Sequence, residues 1–365
     1  MGLEQRIPLY GKLEAKRKRP LIVYVTSTRP QAEAQIASDS ISELVAQLQA
    51  LPPDATELDF YLVSNGGDGT VAWRMVSLIR ERVKKFSVLV PQAAFSAATL
   101  IALGADEIVM HPYGNLGPTD PQITNRAKNV QFGSQDLAAF LTFAKEEVGL
   151  TDQAPLLELF KDFSQEVGFV GIGVAARSAQ LTASMAEKLL RLHMTSDTSS
   201  QKAKVISESL NTKFFHHGYP VSKTEAKGIG LPIAADDTET QSLLWQIWLD
   251  IEAELKLRQP FSPVTVLRDD PACAPLFAPV PLGSPPIAVP PASFTNLTAI
   301  MESSRHATRH MVEGEITGMK MPDQKLNISL VPIRTGWKDV PIPQRVVDIP
   351  APATKAKQPK TPKIK

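Results

Sequence analysis

Only one cysteine, Cys273, occurs in the 365 residues, so an internal disulfide is excluded. Long apolar runs are missing too. The longest, 20–26 and 95–103, fall well short of the roughly 20 residues that a spanning helix needs. No signal-peptide core occurs near the start, and Arg6 stands where a myristoylation motif requires Ser or Thr. Net charge is almost absent: 39 Lys and Arg face 38 Asp and Glu, which argues against bulk electrostatic binding to nucleic acid. There is no internal repeat and no nicotinamide-binding fingerprint. These absences predict a soluble, cytoplasmic chain without a transmembrane segment, a nucleic-acid partner, a metal or an organic cofactor.

What is present is the composition of an ordinary globular protein, 43% hydrophobic and 21% charged. Residues 1–19 are polar and end in a basic run, which predicts a solvated N-terminal arm. From residue 20, short β-rich runs alternate with helical periodicity. Leu21–Thr26, 58–63, 86–90 and Glu107–Met110 read as strands, with helices over 41–48, 71–83 and Ala97–Leu103 between them. This alternation predicts right-handed parallel crossovers and an α/β domain. Further helices are expected over 134–148, 178–193, 199–210 and 240–257. Beyond Arg258 the composition shifts, because 18 of the 30 prolines lie from Pro260 onward. That predicts a Pro-rich irregular extension over 259–350 with a short strand near 325–333, and a disordered basic tail over 351–365. His306 and His310 in the HATRH run are expected on a polar helix face.

Three segments carry the chemistry. Ser64-Asn65-Gly66-Gly67-Asp68-Gly69 follows a strand and precedes a helix, where glycines let backbone N–H groups face a ligand. Alone, it reads first as a tight strand–helix connection. Gln92-Ala93-Ala94-Phe95-Ser96-Ala97-Ala98-Thr99 sets a serine among small residues at the C-terminal end of a parallel strand, where open α/β sheets place ligands. A serine there also suits a helix cap. The third, 114–122 (GNLGPTDPQ), is a loop rich in turn-formers after the fourth strand.

In this order, SNGGDG and then AFSAATLIALGADEIVMHPYGNLGPTDPQ resemble the Clp-type and signal-peptide-peptidase-type serine peptidases of the crotonase superfamily. The similarity is greatest to the serine dehydrogenase proteinase family, whose later segment resembles 216–231 (HHGYPVSKTEAKGIGL). It covers roughly 20–235. It implies a Clp/crotonase-type repeated β-β-α superhelix with a mostly parallel sheet, as a domain over 20–258. Carried over, it implies Ser96 as nucleophile, Asp120 as acid and His217 as base, with the backbone N–H groups of Gly67 and Ala97 as oxyanion hole. His216 and Lys145 stay open as alternative bases, since related enzymes use a lysine. Asn65 departs from the proline usual before the glycine pair in Clp-type enzymes. Members commonly start with a membrane-spanning helix, which is not found here.

The activity so implied is that of an ATP-independent serine endopeptidase acting on peptides or unfolded protein segments, in a homo-oligomer. The alternatives are an inactive peptide-binding or oligomeric scaffold and, ranked lower, an acyl-CoA-processing enzyme.

Overall fold

The computed structural model describes residues 2–342, except 126–129, 213, 215 and 282. The chain opens with α1 (Leu3–Arg17), β1 (Leu21–Thr26), α2 (Ser40–Gln49), β2 (Glu57–Val63) and α3 (Gly69–Arg82). Then come β3 (Lys85–Val90), β4 (Ala93–Ala94), α4 (Ala97–Leu103) and β5 (Glu107–Met110). A middle section holds β6 (Asn115–Leu116), β7 (Gln122–Asn125), β8 (Val130–Gly133), α5 (Ser134–Glu146), α6 (Gln153–Val167) and α7 (Phe169–Arg191). It closes with α8 (Asp197–Thr212), β9 (Val221–Ser222) and α9 (Lys223–Gly228). The remainder comprises α10 (Thr238–Glu254), α11 (Pro263–Asp269), β10 (Ile287–Ala288), β11 (Ala292–Glu302), β12 (Ala307–Lys320) and β13 (Leu326–Asp339).

The fold is mixed α/β. Strands β1, β2, β3 and β5 lie side by side and parallel, as their uncharged, β-branched sequences predict. Alternate residues of each strand enter different cores. Ile22, Tyr24, Phe60, Leu62 and Val88 face α2, α3, α4 and α7. Leu21, Val23, Val25, Tyr61 and Leu89 face α1 and α10. Burial on both faces, at about 1.5–3 kcal/mol for each large apolar side chain, makes these strands the centre of the hydrophobic core.

Two expectations fail. The N-terminal arm is the helix α1, whose Leu3, Ile7, Tyr10 and Leu13 are buried against the sheet and α10. Its Arg6 is wholly buried and donates to Glu302 of β11 at 2.7 and 3.0 Å. Arg17, at its end, pairs with Asp59 of β2, a carboxyl that burial pushes up to about 6 against the pull of that arginine. The segment 292–339 is not irregular: β11 pairs antiparallel with β1, and β12 and β13 continue the same sheet. The prolines sit mostly in the connections, and only Pro332 falls inside these three strands, at a register shift. His310 therefore belongs to a strand, not a helix, and meets Thr298 Oγ1 at 2.7 Å. The basic tail expected at 351–365 lies outside the described residues.

Candidate active site

The site is built where β2, β3 and β5 end. After Val63 the chain passes beside β4: the Ser64 N–H donates to Ala93 O and the Phe95 N–H to Ser64 O, both at 2.9 Å. Ser64 Oγ accepts from Thr26 Oγ1 at 2.7 Å and from the Gly66 N–H at 3.0 Å, which folds the glycine turn back. Gly66 then lies flat on Ser96; a Cβ there, at φ +107°, would fall 2.7 Å from the Ser96 Cβ. Gly67 lies as closely on Ile36, whose carbonyl oxygen would be 2.3 Å from an added Cβ. No other residue type fits either place.

Ser96 itself has φ +53° and ψ −115°, a conformation that costs a non-glycine residue about 1–3 kcal/mol. Such a strained strand–turn–helix elbow is how α/β hydrolases present a serine Oγ. Although Ser96 occupies the N-cap position of α4, its side chain makes no capping hydrogen bond. The capping role that the sequence allowed is thus not taken up, and the hydroxyl stays free to face the cleft. Ala97, the first residue of α4, has no intrahelical acceptor for its N–H. Among the described residues neither this amide nor that of Gly67 donates to another protein group, and both residues line the cleft with Ser96.

Opposite stands His217. The 114–122 loop is tied to α4 through Thr99, whose Oγ1 donates to Gly117 O (2.9 Å) and accepts from the Gly117 N–H (3.0 Å). This presents Asp120, which is nearly buried. β6 in the same loop pairs with β9, so the turn just before β9 reaches the loop. There His217 Nδ1 meets Asp120 Oδ1 at 3.0 Å, while Gln122 Nε2 donates to Asp120 Oδ2, also at 3.0 Å. A proton on Nδ1 leaves the Nε2 lone pair for other partners. His217 and Ser96 line one cleft of ≈ 320 Å³.

The structure thus gathers Ser96, Gly67, Ala97, His217 and Asp120. It does not gather the two alternative bases. His216 is exposed and accepts from the Gly218 N–H at 3.0 Å, and Lys145 is exposed on α5; neither lines the cleft. Residues not singled out in the sequence also reach it: Gln35 before α2, Thr119, Gln122 and, from α7, Thr182. Thr119 and Gln122 sit inside the third loop and were within reach of that reading; nothing local marks Gln35 or Thr182. His111, whose imidazole burial shifts to lower pKa, stacks on Trp245 at 4.8 Å and is structural. Among the described residues no three His, Cys, Asp or Glu side chains converge to hold a metal, and no helix is long and apolar enough to cross a membrane.

Residues 36–132 match the family described as ClpP-like SDH-type serine proteinase, which bears out the resemblance over that span. The span includes Gly67, Ser96, Ala97 and Asp120, and leaves His217 outside. Two uncharacterized proteins of Methanocaldococcus jannaschii are similar. One is 25% identical over 213 residues, 58% of this chain and 65% of that protein. The other is 24% identical over 192 residues, 53% and 57% respectively. The matched region therefore spans less than two thirds of either relative. Among solved structures, the 1510-N membrane-bound stomatin-specific protease bound to a substrate peptide is 17% identical, with a TM-score of 0.37 over 60% of this chain and 78% of that one. A second structure of that protease has 16% identity and the same TM-score, over 62% and 84%.

Proposed function

We propose that the protein is an ATP-independent serine endopeptidase that cleaves peptides or unfolded protein segments through an acyl-enzyme on Ser96. The observation that carries this reading is the strained, uncapped Ser96 facing a cleft shared with two unspent backbone amides and a histidine held by a carboxylate. Serine is inert at its free pKa and needs such a base. His217 Nε2 takes the Ser96 proton as Oγ attacks the peptide carbonyl carbon. The oxyanion accepts from the Gly67 and Ala97 N–H groups, which need no reorganisation as charge develops. The imidazolium gives its proton to the leaving amine, and water, activated by the same imidazole, hydrolyses the ester. Asp120 keeps the imidazole in the right tautomer and stabilises its charged form. The substrate lies extended beside the Gly66-Gly67 turn, as an added strand. A homo-oligomer completes the proposal on the strength of the resemblance, and a cytoplasmic location on the lack of a long apolar run in the sequence.

Turnover tests it. Fluorescein-labelled casein, an unfolded substrate, releases fluorescence with the wild type, and Ser96→Ala lowers the rate by about a thousandfold or more. Equal rates in the two proteins contradict the reading. No turnover of casein or short peptides by the folded wild type favours the scaffold instead.

A further inference from the structure

We infer that the cleft beside Ser96 selects substrates by an uncharged, hydrogen-bonding side chain, of the Ser, Thr, Asn or Gln class, and that Thr119 is the residue that reads it. The inference rests on the peptidase reading and names the substrate class of the same site.

The walls of the cleft are amides and hydroxyls. Gln35, Asn65, Gln122, Thr119 and Thr182 line it, Ala97, Leu100 and Pro121 are the apolar side chains, and among the described residues the lining has no Asp, Glu, Lys or Arg. An incoming charge would lose hydration there, and the one charged pair at hand, His217 with Asp120, is already matched within itself. A purely aliphatic side chain would cover these polar groups without pairing them, and a site built to hydrogen-bond its ligand rejects the analogue that cannot.

Thr119 singles itself out within this wall. It is 2% exposed, and among the described residues its buried Oγ1 has no hydrogen-bond partner. Its backbone is fixed by the N–H bond to Leu210 O at 3.1 Å, so the side chain is not on a loose loop. A buried hydroxyl left unpaired is a standing cost that a bound group with a donor or acceptor cancels. Among its polar neighbours, Gln122 spends its amide nitrogen on Asp120. Thr119 thus has an unspent hydroxyl, in a residue that lines the cleft of the nucleophile.

The test uses the full-length protein and a series of peptidyl diphenyl phosphonates carrying Gln, Leu, Lys or Glu at the residue whose carbonyl is attacked. A generic fluorophosphonate serves alongside. The rate of adduct formation on Ser96 is followed by intact mass. The Gln phosphonate reacts about tenfold faster than the Leu one, with Lys and Glu slower still. Thr119→Val, close in shape but without the hydroxyl, lowers the Gln-to-Leu ratio about tenfold, and Thr119→Ser keeps it. If the fluorophosphonate labels Ser96 but Leu, Lys or Glu reacts fastest, the selectivity is wrong while the peptidase reading stands. A Gln-to-Leu ratio that Thr119→Val leaves unchanged removes Thr119 from the role. If no reagent labels Ser96, the peptidase reading falls and this inference falls with it.

Discussion

At the scale of single residues, the sequence offered types and neighbourhoods but not pairings. Ser96 was legible because it sits among alanines at a strand end, and the structure adds what no string of letters carries: its positive φ and its unspent capping position. Asp120 and His217 are 97 positions apart, and their 3.0 Å bond depends on β6 meeting β9, two strands of two residues each. Such short strands leave almost no periodic signal. The choice between His216 and His217 was equally closed to the sequence, since adjacent residues share composition and differ only in direction. Their difference gives a sharp expectation. Fluorophosphonate labelling of Ser96 falls at least a hundredfold, roughly, in His217→Ala and also in Asp120→Asn, whose amide no longer supports the imidazolium. His216→Ala and Lys145→Ala stay within about twofold, because neither side chain lines the cleft. A loss in Lys145→Ala of the size expected for His217→Ala transfers the role of base.

Among the secondary-structure elements, legibility followed burial. Strands covered on both faces announce themselves as unbroken apolar runs, and β1, α4 and β5 fall on the expected bounds. α1 was missed because Pro8 and several basic residues disguise its buried side. Proline inside a helix costs one backbone hydrogen bond, which the packing of Leu3, Ile7, Tyr10 and Leu13 offsets. The strands after residue 290 were hidden for a different reason: proline was counted over the whole stretch, although it is concentrated between the strands. α1 is tied to β11 by Arg6, so Arg6→Ala would leave Glu302, itself wholly buried, as an uncompensated charge. A loss of about 3–5 kcal/mol is expected, read as a lower urea midpoint at unchanged slope. Arg6 also pairs with Asp250 and Glu254 of α10, so Arg6→Met with Glu302→Leu restores only the part of the loss that belongs to Glu302. A midpoint that does not move in Arg6→Ala means α1 is not held by this pair.

For the whole molecule, one division of labour organises the rest. The parallel strands, buried on both sides, fix the ends from which the glycine turn, the Ser96 elbow and the Asp120 loop project. The antiparallel strands β11–β13 widen the sheet at β1, the side away from β5, and do not line the cleft. Their contribution is to the frame, and the chemistry is gathered at the other side. The match over 36–132 contains the turn, the elbow and the Asp120 loop but ends before the histidine. The base is therefore argued from geometry in this chain.

The central claim is that Ser96 is an activated nucleophile. Its most direct measurement is covalent labelling of the full-length protein with a fluorophosphonate, followed by peptide mapping to locate the adduct. The account predicts one adduct per chain, on the peptide containing Ser96, and none in Ser96→Ala. A folded wild-type protein that takes up no label, or carries it on another serine while Ser96 stays unmodified, contradicts it.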